Sequence, residues 1–296
     1  MKVRQLTYLF IAAVIVILAG LALNKKRQAA WQESGRADEV LPDFPANEIT
    51  SVTFESDDST VTIAKQDGKW RVQERYGYPA DFDKLSDQIR DLVDLRAVQV
   101  LPIDETQFAR LTVAAPDADK GAGILATFYG VDDGPVARVI FGKNHERKVD
   151  SPSPMYAGGN IPDGRYLRVL DGDKVVLVSE TFSGVTASPV DWLEKEFFKI
   201  GDIRNASLTA GETELWRVTR KGKGDDLQLV GANDDENLKD SALRDVKNAF
   251  SWASFKDVAD AELTPEKTGM DKPRTFTAQT LDGFTYVVRI GDKAAD

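Results

Sequence analysis

The sequence predicts an α+β protein: an N-terminal transmembrane helix followed by two tandem β-rich repeat units, each with antiparallel strands and a packed helix. Three observations carry this prediction. A long apolar run opens the chain, short segments of alternating apolar and polar residues follow it, and one order of strands and helix occurs twice. At 296 residues with 42% hydrophobic content, the chain is long enough to form two cores.

The apolar run extends from Leu6 to Leu23 without a charge, close to the length of about 20 residues that an α-helix needs to cross a bilayer. It predicts an anchor over residues 1–24. The following residues are assigned to the membrane anchor: Leu9, Phe10, Val14, Ile17 and Leu21. The alternative is a cleaved signal peptide, because Lys2 and Arg4 form a basic start. The run is longer than a usual signal peptide core, and its small-residue cleavage site is poor.

Positive charge does not decide the orientation of this anchor. Lys2 and Arg4 precede it, and the cluster Lys25, Lys26 and Arg27 follows it, so the two sides are nearly balanced. A short tail usually stays in the cytoplasm, and long domains cross largely regardless of charge. We therefore expect the bulk of the chain outside the cytoplasm.

Residues 25–47 are polar, charged and interrupted by proline, which is typical of a linker. The first unit, 48–200, begins with "ITSVTFES" and "STVTIAKQDGKWRVQ", whose alternation predicts strands with one buried face. The next segment predicts a helix with one apolar stripe, formed by Phe82, Leu85, Ile89 and Leu92.

Two strand pairs and a short helix complete the first unit. The pairs are "GILATFYGVDDGPVARVIFGK" and "RYLRVLDGDKVVLVS", each with a tight turn that only antiparallel neighbours can use. The segment "SPVDWLEKEFFKI" has a proline suited to an early helical position and predicts a short closing helix.

The second unit, 201–296, repeats this order at an offset of about 154 to 157 residues through its meander and helix. The matched positions are Ile203 with Ile49, Trp216 and Val218 with Val61 and Ile63, Leu227 and Leu229 with Trp70 and Val72, Val246, Phe250, Trp252 and Phe255 with Ile89, Val93, Leu95 and Val98, and Ile290 and Gly291 with Phe141 and Gly142. Nothing after Asp296 corresponds to 155–200, so the second unit is predicted to be incomplete.

Composition restricts the chemistry. The formal charge of -10 argues against a nucleic-acid partner, which requires a gathered surplus of Lys and Arg. Without cysteine there is no disulfide, thiolate nucleophile or zinc-thiolate site. The single histidine, His145, is interpreted as an exposed residue of a polar loop, "FGKNHERKVD". No catalytic, cofactor-binding or metal-binding residue is therefore assigned.

Other glycine-rich and acidic stretches are predicted to be turns. "AGGNIPDGRY" and "KGKGDD" lack the context of a phosphate-binding loop. "LDGDK" and "VDDG" lack the twelve-residue spacing of a calcium loop and are interpreted as hairpin turns.

The tryptophans are interpreted mainly as core residues. Trp70, Trp192, Trp216 and Trp252 all fall at apolar positions of predicted elements. Trp31 follows the anchor closely, which suits either the lipid headgroup level or an ordinary linker.

The order of these segments resembles a bacterial family, the domain of unknown function 4340. The resemblance rests on "ITSVTFESDDSTVTIAKQDGKWRV", "VIFGK", "YLRVLDGDKVVLV" and "VDWLEKEFFKIGDIRNASLT", and it covers nearly everything from Ile49 onward. It implies a membrane-anchored, exported repeat protein that is an auxiliary component of a gliding-motility-type ABC transporter. It implies no catalytic residues. The missing half of the second unit departs from the family's pattern.

Two classes of function are expected. The first is a non-enzymatic accessory subunit, single-pass in the bacterial inner membrane with its bulk in the periplasm. Its partners would be transporter membrane subunits and the bilayer, with a possible lipid or polysaccharide cargo. A module that binds lipid or polysaccharide in a groove between sheet and helix is a further alternative, compatible with this role. The second is an anchored envelope hydrolase that uses a pair of carboxylates on glycan, motivated by the many Asp and Glu residues.

Overall fold

The structure is a computed structural model, and it describes residues 39–132, 134–149, 159–233 and 239–293. The strands are β1 Ser51–Glu55, β2 Thr60–Gln66, β3 Lys69–Val72, β4 Tyr78–Pro79, β5 Ala97–Leu101, β6 Ile124–Tyr129, β7 Pro135–Val149, β8 Gly159–Val169, β9 Lys174–Val178, β10 Ile203–Ala210, β11 Thr213–Thr219, β12 Gln228–Leu229, β13 Arg274–Thr280 and β14 Thr285–Ile290. The α-helices are α1 Phe82–Val93, α2 Glu105–Leu111, α3 Asp240–Asn248 and α4 Pro265–Thr268. The strands form two antiparallel sheets, which confirms the α+β class with antiparallel strands.

The chain divides into two compact units. Of the described residues, the first comprises those within 39–67 and 83–188, and the second comprises those within 68–82 and 189–293. Each unit is therefore built from two separate stretches of the chain.

The sheet of the first unit runs β2, β1, β6, β7, β8, β9, β5 through neighbouring strands. Its alternating residues bury one face, as predicted: Val52 pairs with Ile63 and Phe54 with Val61, and all four are buried. Apolar side chains at every second position point to the same side of a pleated strand, so this face forms the core.

The segments predicted as a polar loop and a glycine-rich turn are paired strands. β7 continues through His145 to Val149, and β8 runs from Gly159, with Lys148 opposite Asn160. The prediction was wrong for these residues because the outer part of this ribbon pairs beyond the reach of β9, which joins β8 only from Arg165 onward. Strands that are exposed on both faces carry polar side chains and lose the alternation that marks a half-buried strand.

Arg165 joins β8 to β7 and to the segment after β9. Its Nε donates to the Gly142 carbonyl at 2.8 Å, and its Nη1 donates to the Phe182 carbonyl at 2.8 Å. The guanidinium also lies 5.5 Å from the centre of the Phe141 ring. Burial lowers the pKa of Arg165 to about 10, because a desolvated cation is less stable than a hydrated one.

The helices of the first unit bury short apolar stripes. α1 buries Leu85 and Leu92, but Phe82, predicted to lie in the same stripe, is 53% exposed at the first helical position. α2 begins after Asp104, whose side chain accepts a hydrogen bond from the Thr106 backbone N–H, and it ends at Thr112 in a left-handed conformation.

The second unit contains a five-stranded sheet in the order β12, β11, β10, β13, β14. Its core consists of the buried residues Ile200, Ile203, Ala206, Val218, Leu227, Phe276 and Ala278. β3 and β4 also belong to this unit, and the chain after β4 is held by a hydrogen bond from the Asp81 N–H to the Trp192 carbonyl.

Two segments that were predicted as helices, the closing helix of the predicted first unit and the helix of the predicted second unit, form shorter helices. The closing helix is a single 3-10 turn, Pro189–Trp192. α3 ends at Asn248, and Phe250 then adopts a left-handed φ of 63°, which a continuing helix does not allow. The chain after Phe250 therefore leaves the helical path that the apolar pattern predicted.

Candidate functional site

The residues assigned to the membrane anchor lie outside the described residues. This concerns Leu9, Phe10, Val14, Ile17 and Leu21, as well as Trp31 in the linker. None of the helices in the described part of the chain combines the length and apolar character that crossing a bilayer requires.

His145 pairs with one carboxylate. Its Nδ1 lies 2.6 Å from Oδ1 of Asp163 on the neighbouring strand, and Arg147 Nε lies 3.6 Å from the other oxygen of Asp163. The imidazole and this carboxylate are each about one third exposed, so solvent reaches both. These contacts link β7 to β8, so His145 has a structural role in the ribbon that the two strands form.

The acidic residues of the described ranges lie at the surface. The buried polar side chains there belong to Thr127 and Thr280, so no described Asp or Glu is buried. A glycosidase acid needs a carboxyl in an apolar pocket to raise its pKa. In the described ranges, no group of three or more His, Asp or Glu side chains has the geometry to hold a metal ion.

The tryptophans divide into core and surface residues. Trp192 is fully buried, Trp216 packs against the core of the second unit, and Trp70 is partly buried. Trp252 is 81% exposed, so its assignment to the core was wrong. The helix that would have turned it inward ends before it, at Asn248.

Trp252 lines an open groove of the second unit. The groove has a volume of about 400 Å³ and is formed by two short segments, residues 196–199 and 251–254. A backbone hydrogen bond of 3.0 Å from Ile200 N–H to the Phe250 carbonyl joins these segments at their base. Small-molecule sites have volumes of about 300 to 1,000 Å³, so this groove is large enough to bind a ligand group or a partner's side chain.

A continuous row of aromatic rings connects the groove to the core. Ring centres are 4.5 Å apart between Phe197 and Phe198, 5.5 Å between Phe198 and Phe250, and 5.3 Å between Phe250 and Phe276. Phe197 also packs edge-on against Phe255 at 5.5 Å. Aromatic pairs at these distances stabilise beyond their buried area, so both walls of the groove are held by the same core.

The groove presents apolar surface beside charge. Phe197 is 52% exposed, and Lys199 Nζ lies 3.8 Å from the centre of the Trp252 ring. A cation over an indole face contributes about 0.5 to 1 kcal/mol at an exposed site, which holds the ring in place and leaves most of it in contact with solvent. Glu196 adds a carboxylate to the same wall.

The exposed aromatic side chains of the groove, Trp252 and Phe197, suit the binding of a partner or ligand. Large exposed aromatic residues are enriched at contact sites, because their burial in a complex removes much apolar area at a small cost in side-chain entropy. No local pattern in the sequence marks the groove, because Trp252 falls at an apolar position of the predicted helix.

One comparison with known proteins identifies a family. The family model described as "Domain of unknown function (DUF4340)" matches residues 70–273, which is more than half of the chain. No curated protein and no solved structure matches the chain.

Proposed function

The chain belongs to the DUF4340 family, and from this premise we propose that it is a non-enzymatic, membrane-anchored accessory subunit of a gliding-motility-type ABC transporter. In this proposal the apolar run of residues 1–24 holds the protein in the bacterial inner membrane. The folded part lies in the periplasm and acts as a scaffold or substrate guide.

One observation carries the proposal: the exposed aromatic groove around Trp252. Interface energy concentrates in a few aromatic or arginine residues at the centre of a contact, and Trp252 with Phe197 provides such a centre. The described carboxylates lie at the surface, which gives the alternative of a glycan hydrolase no supporting geometry. A lipid or polysaccharide cargo remains compatible with the same groove.

We further propose that the two units arose by duplication. In the first sheet β1 lies between β2 and β6, and β6 pairs with β7. In the second sheet β10 lies between β11 and β13, and β13 pairs with β14. At least one helix separates β2 from β6 and β11 from β13, so the order of these strands and of their neighbours supports the proposal.

The pairing register supports the same proposal at single residues. Phe141 lies opposite the first residue of β6, and Ile290 lies opposite the first residue of β13. The glycine after each passes close to a carbonyl oxygen at the end of a short helix, at Leu111 for Gly142 and at Gly269 for Gly291. At both positions a side chain would collide with this carbonyl oxygen, so the same close approach of the backbone requires glycine at each.

Co-purification tests the accessory role. The full-length protein is extracted from native membranes in mild detergent, as wild type and as Trp252→Ala. We expect transporter subunits with the wild type and at least about tenfold fewer with the variant, as for an interface hot spot of about 1.4 kcal/mol or more.

Tyr76→Ala is the matched control, because Tyr76 is 62% exposed in the same unit and does not line the groove. It should retain the transporter subunits. Recovery of the wild-type protein without any transporter subunit would contradict the accessory role. Equal recovery with Trp252→Ala and wild type would exclude the groove as the contact surface.

A further inference from the structure

β14 is the last strand of the five-stranded sheet, and no strand of the described ranges pairs with its outer side. Its sequence is "TYVVRI", rich in β-branched and aromatic residues and free of proline and lysine. Proline, lysine and bulges are the features with which proteins usually block pairing at sheet edges. β14 therefore has the character of a strand that accepts a neighbour.

Apolar side chains remain uncovered along this edge. Val287 is 61% exposed, Ile290 is 42% exposed and Phe284, just before the strand, is 65% exposed. Tyr286 and Val288 pack against the core of the unit but are only partly buried. An added strand would place cross-strand neighbours beside these side chains and so cover part of their exposed surface.

The hydrogen-bond register shows which backbone groups face outward. The Thr280 N–H donates to the Phe284 carbonyl at 2.9 Å, and antiparallel pairs exchange hydrogen bonds at every second residue. With Ala278 opposite Tyr286 and Phe276 opposite Val288, those two β14 residues bond to β13. The backbone N–H and C=O groups of the residues between them, such as Val287, point to the open edge.

We propose that β14 pairs with β14 of a second copy of this chain, antiparallel about a two-fold axis at Val288. In this register Tyr286 lies opposite the second copy's Ile290, and Val288 lies opposite itself, so one apolar face continues across the axis. Val287 lies opposite the second copy's Arg289, so the two arginines do not meet. The same segment serves both copies, which is the rule for two-fold interfaces. The pairing joins two five-stranded sheets into one.

The absence of cysteine from the chain allows a direct test. Val288→Cys is introduced into the full-length protein in membranes, and a mild oxidant is added. The two Cα atoms at a two-fold, non-hydrogen-bonded position would be about 4.5 Å apart, within the range for a disulfide. We expect at least tenfold more disulfide-linked dimer than with Thr285→Cys, whose two copies would lie about 20 Å apart.

A second variant tests the edge without a cross-link. Val287→Pro removes one outward N–H and leaves the bonds to β13 intact, as edge strands tolerate. We expect the detergent-solubilised full chain to sediment as a dimer when wild type or Val287→Ile and as a monomer when Val287→Pro. A monomeric wild type, or cross-linking of Val288→Cys no greater than that of Thr285→Cys, overturns the proposal. Neither measurement needs the transporter, so the outcome is independent of the accessory role.

Discussion

β7 of the first sheet, which contains Phe141, and β14 of the second sheet, which contains Ile290, have different neighbours. The two residues hold the same register position, yet Phe141 is 1% exposed and Ile290 is 42% exposed. Phe141 is covered by Leu167 of β8, by the Phe182 ring at 5.1 Å and by Arg165. A strand becomes part of a core only when its outer neighbour is present, and in the described ranges β7 has β8 on that side whereas β14 has no further strand.

Truncation at these two positions tests that difference most strongly. Phe141→Ala should lower the free energy of unfolding of its unit by about 3 to 5 kcal/mol, and Ile290→Ala should cost under about 1.5 kcal/mol. Hydrogen exchange of strand amides in each unit measures both values. The variants are made in the Val287→Pro background, so that pairing between copies does not contribute. Equal losses would show that exposure does not distinguish the two strands.

Substitution of Arg165 measures how much its buried guanidinium, on β8, stabilises the first sheet. Arg165→Met leaves the carbonyls of Gly142 and Phe182 without their donor and should cost about 2 to 3 kcal/mol. Arg138→Met, at an exposed ion pair with Asp171, should cost under about 1 kcal/mol. Chemical denaturation compares them, and an equal effect would contradict a role for the buried guanidinium.

The lowered pKa of Arg165 adds a pH dependence with a defined sign. Because the pKa is about 10 when folded and higher when unfolded, the unfolded chain binds more protons above pH 10. The free energy of unfolding of the wild type, relative to Arg165→Met, should therefore rise as the pH is raised above about 10. A flat or falling difference would contradict burial as the cause.

Gly142 and Gly291, the two glycines of the proposed repeat, should give a smaller effect than Phe141 and the closest match between the sheets. A Cβ at Gly142 would lie 2.5 Å from the Leu111 carbonyl oxygen, and one at Gly291 would collide with the Gly269 carbonyl oxygen. Each alanine substitution should cost about 1 to 3 kcal/mol in its own unit, by hydrogen exchange. Gly172→Ala and Gly201→Ala, where a Cβ meets nothing within 4 Å, should be nearly neutral. A tolerated alanine at only one of the paired positions would argue against a shared architecture.

Much of the fold follows from local pattern. The alternation that buries Val52, Phe54, Val61 and Ile63 was predicted correctly, because a pleated strand with one buried face imposes a period of two. The predicted family is confirmed. The duplication and the membrane anchor stay predictions.

The candidate site was not predictable in the same way. Trp252 fits the apolar period of a helix, but the helix ends at Asn248, and the Phe250 ring packs against those of Phe198 and Phe276. Those partners are distant in sequence, so no local pattern reports them. The ribbon of β7 and β8 was missed for a related reason, since its polar residues pair across strands without covering a core.

By itself the sequence determined the strand periods, the tight turns, the acidic charge and the membership of a family. Tertiary structure alone decided which apolar residues are covered. Phe141 is buried on a strand that pairs with β8, Ile290 is exposed on a strand with no outer neighbour in the described ranges, and Trp252 is exposed in a groove. The physical reason is that the periodicity of apolar residues indicates which face of a single strand or helix is apolar, whereas the burial of that face depends on which other elements pack against it.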